Sequence, residues 1–152
     1  MRFALASAVF LASVLGVVAA PIPKAKVKDE EAIVGTWHIE KLDFGPGRPL
    51  PPIDVTKLKV AFQAEGKMVM TMGDVPHQEG TYNLDPAAKV KAIDFLQDQG
   101  RTALGIYELD GDMLNICIAE GADAVRPTEM KPEGLKVAVM TLKRVKEEKK
   151  VK

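Results

Sequence analysis

Apolar residues alternate with polar ones along most of the chain, in short runs separated by Gly, Pro, Asn and Asp. A period of two is the mark of half-buried strands, and the separators are turn formers. The clearest pair is 55–63 and 67–72, joined at Glu65-Gly66. A three-residue loop, Ala64-Glu65-Gly66, sets Phe62 opposite Met68, Val60 opposite Met70 and Leu58 opposite Met72. The large apolar side chains then share one face, with Lys57, Lys59, Ala61, Val69 and Thr71 on the other, and positive φ is expected at Gly66.

The stretch Thr102 to Ile118, around Asp110-Gly111, predicts a second hairpin. A two-residue turn at Asp110-Gly111 would pair Ile106 with Asn115 and Leu104 with Cys117. A three-residue loop, Leu109-Asp110-Gly111, pairs Glu108 with Asp112, Ile106 with Leu114 and Leu104 with Ile116. The second gathers Leu104, Ile106, Leu114, Ile116 and Ile118 on one face and leaves Tyr107, Met113, Asn115 and Cys117 on the other. It is the expected register, with positive φ at Gly111.

Further strands are expected from Gly35-Thr36-Trp37 onward (Trp37 and Ile39 inward, His38 and Glu40 outward), near 78–84, at 92–96 and at 135–145. One helical turn at 29–34, capped by Asp29, precedes the first. Two long irregular segments interrupt them, Gly45–Pro52 with four prolines and two glycines, and Ala119–Pro132. About eight short strands, nearly no helix and mostly local connections predict an all-β fold: a small antiparallel up-and-down barrel, closed so that no edge is left exposed. Trp37, Phe62, Met70, Phe95, Ile106, Ile116 and Met140 are its expected core.

Residues 1–20 read as a signal peptide: one early charge, an apolar run too short for a stable span, and small residues for cleavage after Ala19 or Ala20. Residues 21–31 form a flexible leader, 32–146 the barrel domain and 147–152 a charged tail. A secreted or periplasmic protein with no integral membrane span after cleavage is expected. Without Arg2 the chain keeps 20 basic and 21 acidic residues, and no basic patch carries exposed aromatics. Nucleic acid is therefore not an expected partner. Cys117 is the only cysteine, so no intramolecular disulfide forms, and its apolar strand points to an inert buried thiol.

No nucleophile, base and orienting group fall together, so a non-enzymatic protein with no catalytic residue, metal or cofactor is expected. Met68, Met70 and Met72 with His77 have the softness of a Cu(I) site, but their shared face makes them a core stripe first. His38 and His77 lie in no metal-ligand spacing. Glu108, Asp110 and Asp112 crowd one hairpin end, which turn chemistry explains without a cation. Arg126-Pro127-Thr128-Glu129 is specific for a connector: Arg126 either clamps the segment through Glu129 or a backbone carbonyl, or lines a ligand mouth.

Several of these segments resemble known families. Gly35-Thr36-Trp37 after a short helical lead resembles the opening of lipocalin-like (calycin) barrels. Gly105 to Cys117, Arg126-Pro-Thr-Glu129, Leu142-Lys-Arg144, Tyr82-Asn-Leu-Asp-Pro86 and Lys91-Ala-Ile-Asp94 resemble an uncharacterised secreted domain family abundant in planctomycete bacteria. The likeness covers Ile33 to Val145 and departs at Val90, where proline is expected. It implies a lipocalin-like barrel and an extracytoplasmic location, and supplies no catalytic residues.

The expected function is binding of a small apolar molecule or an envelope partner. Leu58, Val60, Met70, Phe95, Ile106, Ile116 and Met140 would line a cavity of roughly 300 Å³ or more. Arg126 would stand near the mouth, framed by Gly45–Pro52 and Ala119–Pro132. The alternative is a structural or protein-interaction module whose side chains fill the barrel.

Overall fold

The structure is a computed structural model that describes residues 27–133 and 136–147. Residues 1–20, read above as a signal peptide, residues 21–26 of the expected leader, residue 135 at the start of the last expected strand and residues 148–152 of the tail lie outside the described residues. One helical turn, α1 (Asp29–Ala32), precedes β1 (Gly35–Asp43), β2 (Leu58–Phe62), β3 (Lys67–Met72), β4 (Val75–Asp85), β5 (Ala92–Gln97), β6 (Thr102–Asp110), β7 (Met113–Glu120) and β8 (Val137–Arg144). Each strand pairs antiparallel with the next and β8 pairs back onto β1, so the eight strands close into an all-β up-and-down barrel.

The β2–β3 register is the expected one, with Val60 opposite Met70 and φ +73° at Gly66. Glu65 shares the left-handed conformation (φ +66°), as does Gln99 (φ +68°) in the equivalent turn between β5 and β6. The loops are chemically alike: Gln63-Ala-Glu-Gly-Lys67 and Gln97-Asp-Gln-Gly-Arg101 each close with the glutamine N–H on the basic residue's carbonyl at 2.8 Å. β4 is longer than expected. It begins at Val75 and follows β3 through a register shift at Met70/Thr71.

The β6–β7 hairpin corrects the expected register. The turn is Gly111-Asp112, with Asp110 opposite Met113, Leu109 opposite Leu114, Tyr107 opposite Ile116 and Ile106 opposite Cys117. Gly111 has φ +57° and takes the first turn position, the arrangement that suits a II′ turn. Tyr107 therefore faces inward and Leu104 and Ile106 outward. The expectation failed because both faces of this hairpin are covered. Ile106 (2% exposed), Cys117 and Ala119 are buried outside the barrel, beneath a strap formed by the segment between β7 and β8. When both faces are apolar, counting apolar residues no longer selects the register.

One end of the barrel is sealed. Ile33, Trp37, Ile93, Tyr107, Leu114 and Leu142 are essentially inaccessible there. Trp37 Nε1 donates to Ile33 O at 2.9 Å, and the Arg144 guanidinium stacks 4.2 Å over the indole ring. Arg144 also donates to Val34 O at 2.9 Å and to Ala32 O, satisfying carbonyls that a helix end leaves without partners. Gly35 is required where the guanidinium passes, since a Cβ there would lie 2.6 Å from Arg144 Nη1 and its φ is +141°. Asp29 is not the cap; Lys28 holds that position without a side-chain bond. The Asp29 carboxylate instead accepts from Tyr107 Oη at 2.8 Å and Lys91 Nζ at 2.6 Å, pinning α1 across the barrel end.

Candidate functional site

The side chains that face inward from the middle of the barrel to its other end enclose a cavity of about 190 Å³, open at that end. Its floor is Ile39, Phe62, Ile116 and Leu142, and its walls include Leu58, Val60, Phe95, Ala138 and the thioethers Met68, Met70 and Met140. The alternation of β2, β3, β5 and β8 places these residues, because every second side chain of a strand turns to the same face. Phe62 packs edge-on against Tyr82 (ring centroids 4.9 Å apart), which stiffens one wall.

Of the expected lining residues, Leu58, Val60, Met70, Phe95, Ile116 and Met140 are brought together here. Met70 is half-buried, as a wall facing empty space should be, whereas the other expected core residues are buried. Ile106 does not line the cavity, because its register turns it outward. The volume is smaller than expected, since the sealed end is filled by Trp37, Tyr107 and Leu114.

Arg126 is a clamp and lies outside the barrel. Its guanidinium donates to both Asp94 oxygens (2.5 and 3.1 Å) and to Gly105 O (2.8 Å), tying the strap to the outer face of β5 and β6. Glu129 pairs with Lys131 instead. Cys117 Sγ lies 3.6 Å from Lys131 O under the strap, and burial pushes the thiol above its ordinary pKa. Among the described residues, the strap meets the mouth through its flanks, Glu120 and Lys136. A hollow of about 810 Å³ against the strap is a surface furrow lined largely by exposed residues such as Asp123, Val125, Thr128 and Glu129.

At the mouth, polar residues take over the inward positions. Gln78 on β4, Gln97 on β5, Glu120 at the end of β7 and Lys136 just before β8 line the opening, joined by Arg48, whose guanidinium stacks 4.3 Å over Phe44. These residues were missed at the sequence level, although the signal was there. Gln78 has the parity of Tyr82 and Leu84, Gln97 that of Ile93 and Phe95, and Lys136 that of Ala138 and Met140.

Of the methionine stripe, Met68 and Met70 line the cavity and Met72 packs half-buried against the core, while His77 is exposed on β4. His38 is on the outer face of β1, 3.7 Å from Glu40. Among the described residues, no three of His, Cys, Asp or Glu gather as metal ligands would, and no helix is long and apolar enough to cross a membrane. Asp112, in the β6–β7 turn, faces Arg144 and Lys146, so its charge is met by protein cations. No family model, curated protein or solved structure matches the chain.

Proposed function

We propose that this chain is a non-enzymatic binding barrel that holds one small apolar molecule inside, and that it works outside the cytoplasm, as its signal-type leader suggests. The observation that carries the reading is the asymmetry of the interior: one end is packed solid, and the other leaves about 190 Å³ walled by aliphatic, aromatic and thioether groups. An apolar cavity of about 150 Å³ is enough for benzene. The space here therefore suits a single ring or a short alkyl chain and excludes drug-sized or long-chain ligands, whose sites begin at roughly 300 Å³. Thioethers suit a site that accepts more than one apolar shape. The lipocalin-like resemblance agrees with a ligand held inside the barrel.

The test is calorimetric titration of the purified barrel with ethylbenzene. Binding of one molecule is expected with a Kd of roughly 0.1–1 mM for so small a ligand, and with a negative heat-capacity change from apolar burial. Ala138→Leu, which pushes a larger side chain into the cavity, should abolish binding while the protein still melts cooperatively. If ethylbenzene does not bind up to its solubility, the carrier reading is lost and an interaction module with no ligand takes its place.

A further inference from the structure

The collar at the mouth carries information that an apolar ligand would not use. Gln78, Gln97 and Glu120 face the opening from β4, β5 and β7, Lys136 joins them from the residue before β8, and Arg48 from the loop after β1. Gln78 and Gln97 are half-buried there, Glu120 and Lys136 are exposed, and the last two carry charges of opposite sign. Glu120 ends β7 and Lys136 directly precedes β8, and the backbone bond from Glu120 N to Lys136 O at 3.1 Å joins them. Each lines the same opening. A purely apolar guest would draw no benefit from these groups and would strip water from them on seating. A guest with a carboxylate alone would meet Lys136 and Arg48 favourably but Glu120 unfavourably. A head that carries both an ammonium and a carboxylate finds a partner for each charge, and amide donors and acceptors beside them.

Resting on the binding reading above, we infer that the ligand is a small zwitterion with one apolar body: a free apolar α-amino acid. Its side chain fills the roughly ring-sized interior, its ammonium lies toward Glu120, and its carboxylate lies toward Lys136 and Arg48. The charged head stays at the solvent edge, so each ion pair contributes modestly, and selectivity comes from the two together.

The experiment is a matched series on one phenylethyl body, titrated into the intact barrel: phenylalanine, 3-phenylpropanoate, phenethylamine and ethylbenzene. Phenylalanine should bind tightest, roughly tenfold above ethylbenzene, with the two singly charged compounds weaker than phenylalanine. Glu120→Gln should weaken phenylalanine and phenethylamine about three- to fivefold and leave ethylbenzene unchanged; Lys136→Gln should do the same to phenylalanine and 3-phenylpropanoate. The zwitterion assignment is overturned if phenylalanine binds no tighter than ethylbenzene, if 3-phenylpropanoate binds tightest, or if both substitutions leave the series unaltered. Ethylbenzene separates the two claims: if it binds and the head has no effect, only the inference in this section falls, and if nothing in the series binds, the binding reading falls with it.

Discussion

Ile106 and Ile116 are nearly equal in burial, at 2% and 1% exposed, yet they belong to different interiors. Ile116 is part of the cavity floor, and Ile106 lies on the outer wall beneath the strap. Truncating either to alanine should cost roughly 2–5 kcal/mol in urea unfolding. Only Ile116→Ala should enlarge the cavity, so it should improve binding of propylbenzene relative to ethylbenzene, whereas Ile106→Ala should leave that ratio unchanged. Tyr107 offers a second residue-level test. Burial, then the hydrogen bond to Asp29, raise its hydroxyl well above the ordinary tyrosine value of 10.0. A pKa raised on folding means the folded state holds its proton more tightly than the unfolded chain, so that contribution is full below pH 10 and is lost as pH rises further. Unfolding free energy should therefore fall as pH rises above about 10, and Tyr107→Phe should flatten that slope. An unchanged slope in the variant would show that the hydroxyl is not sequestered.

At the scale of elements, the strap is fastened to the wall chiefly through one side chain. Arg126 bridges Asp94 and the Gly105 carbonyl, and Cys117 lies protected under the strap. Replacing Arg126 by Gln should let the strap lift, so the Cys117 thiol should react with a maleimide roughly tenfold faster in native buffer, a factor equivalent to about 1.4 kcal/mol of lost protection. No change in labelling rate would mean that packing alone holds the strap. The other fastening, Arg144 at the sealed end, is met by carbonyls of the helical turn and by the Trp37 ring. Arg144→Gln should destabilise the fold by about 2–3 kcal/mol, measured by urea unfolding, without altering the open mouth.

These elements also show what the amino-acid pattern can and cannot reveal. The β2–β3 pairing was legible because one face of it is apolar and the other carries lysines and threonine. The β6–β7 pairing was not, because the strap turns Ile106 and Cys117 into a second interior, and only tertiary structure says that a segment rich in Pro and Gly folds back to cover them. Arg126 was legible only as either a clamp or a mouth residue, because its partner Asp94 lies on a strand far away in sequence. The polar collar was present in the parity of Gln78, Gln97 and Lys136, but it acquires meaning only when closure of the sheet brings those strand ends to one opening.

For the whole molecule, the account comes down to a barrel packed solid at one end and hollow at the other. The methionines supply internal reporters of that hollow: Met68, Met70 and Met140 line it, whereas Met113 lies on the outer side of β7 and Met130 lies in the strap. Methionine-methyl NMR during titration with ethylbenzene is the most direct measurement. Saturable shifts at Met68, Met70 and Met140, with Met113 and Met130 unmoved, are the predicted result. Methyl resonances that stay fixed up to the solubility of ethylbenzene, or that move equally at all five positions, would contradict a ligand-holding interior.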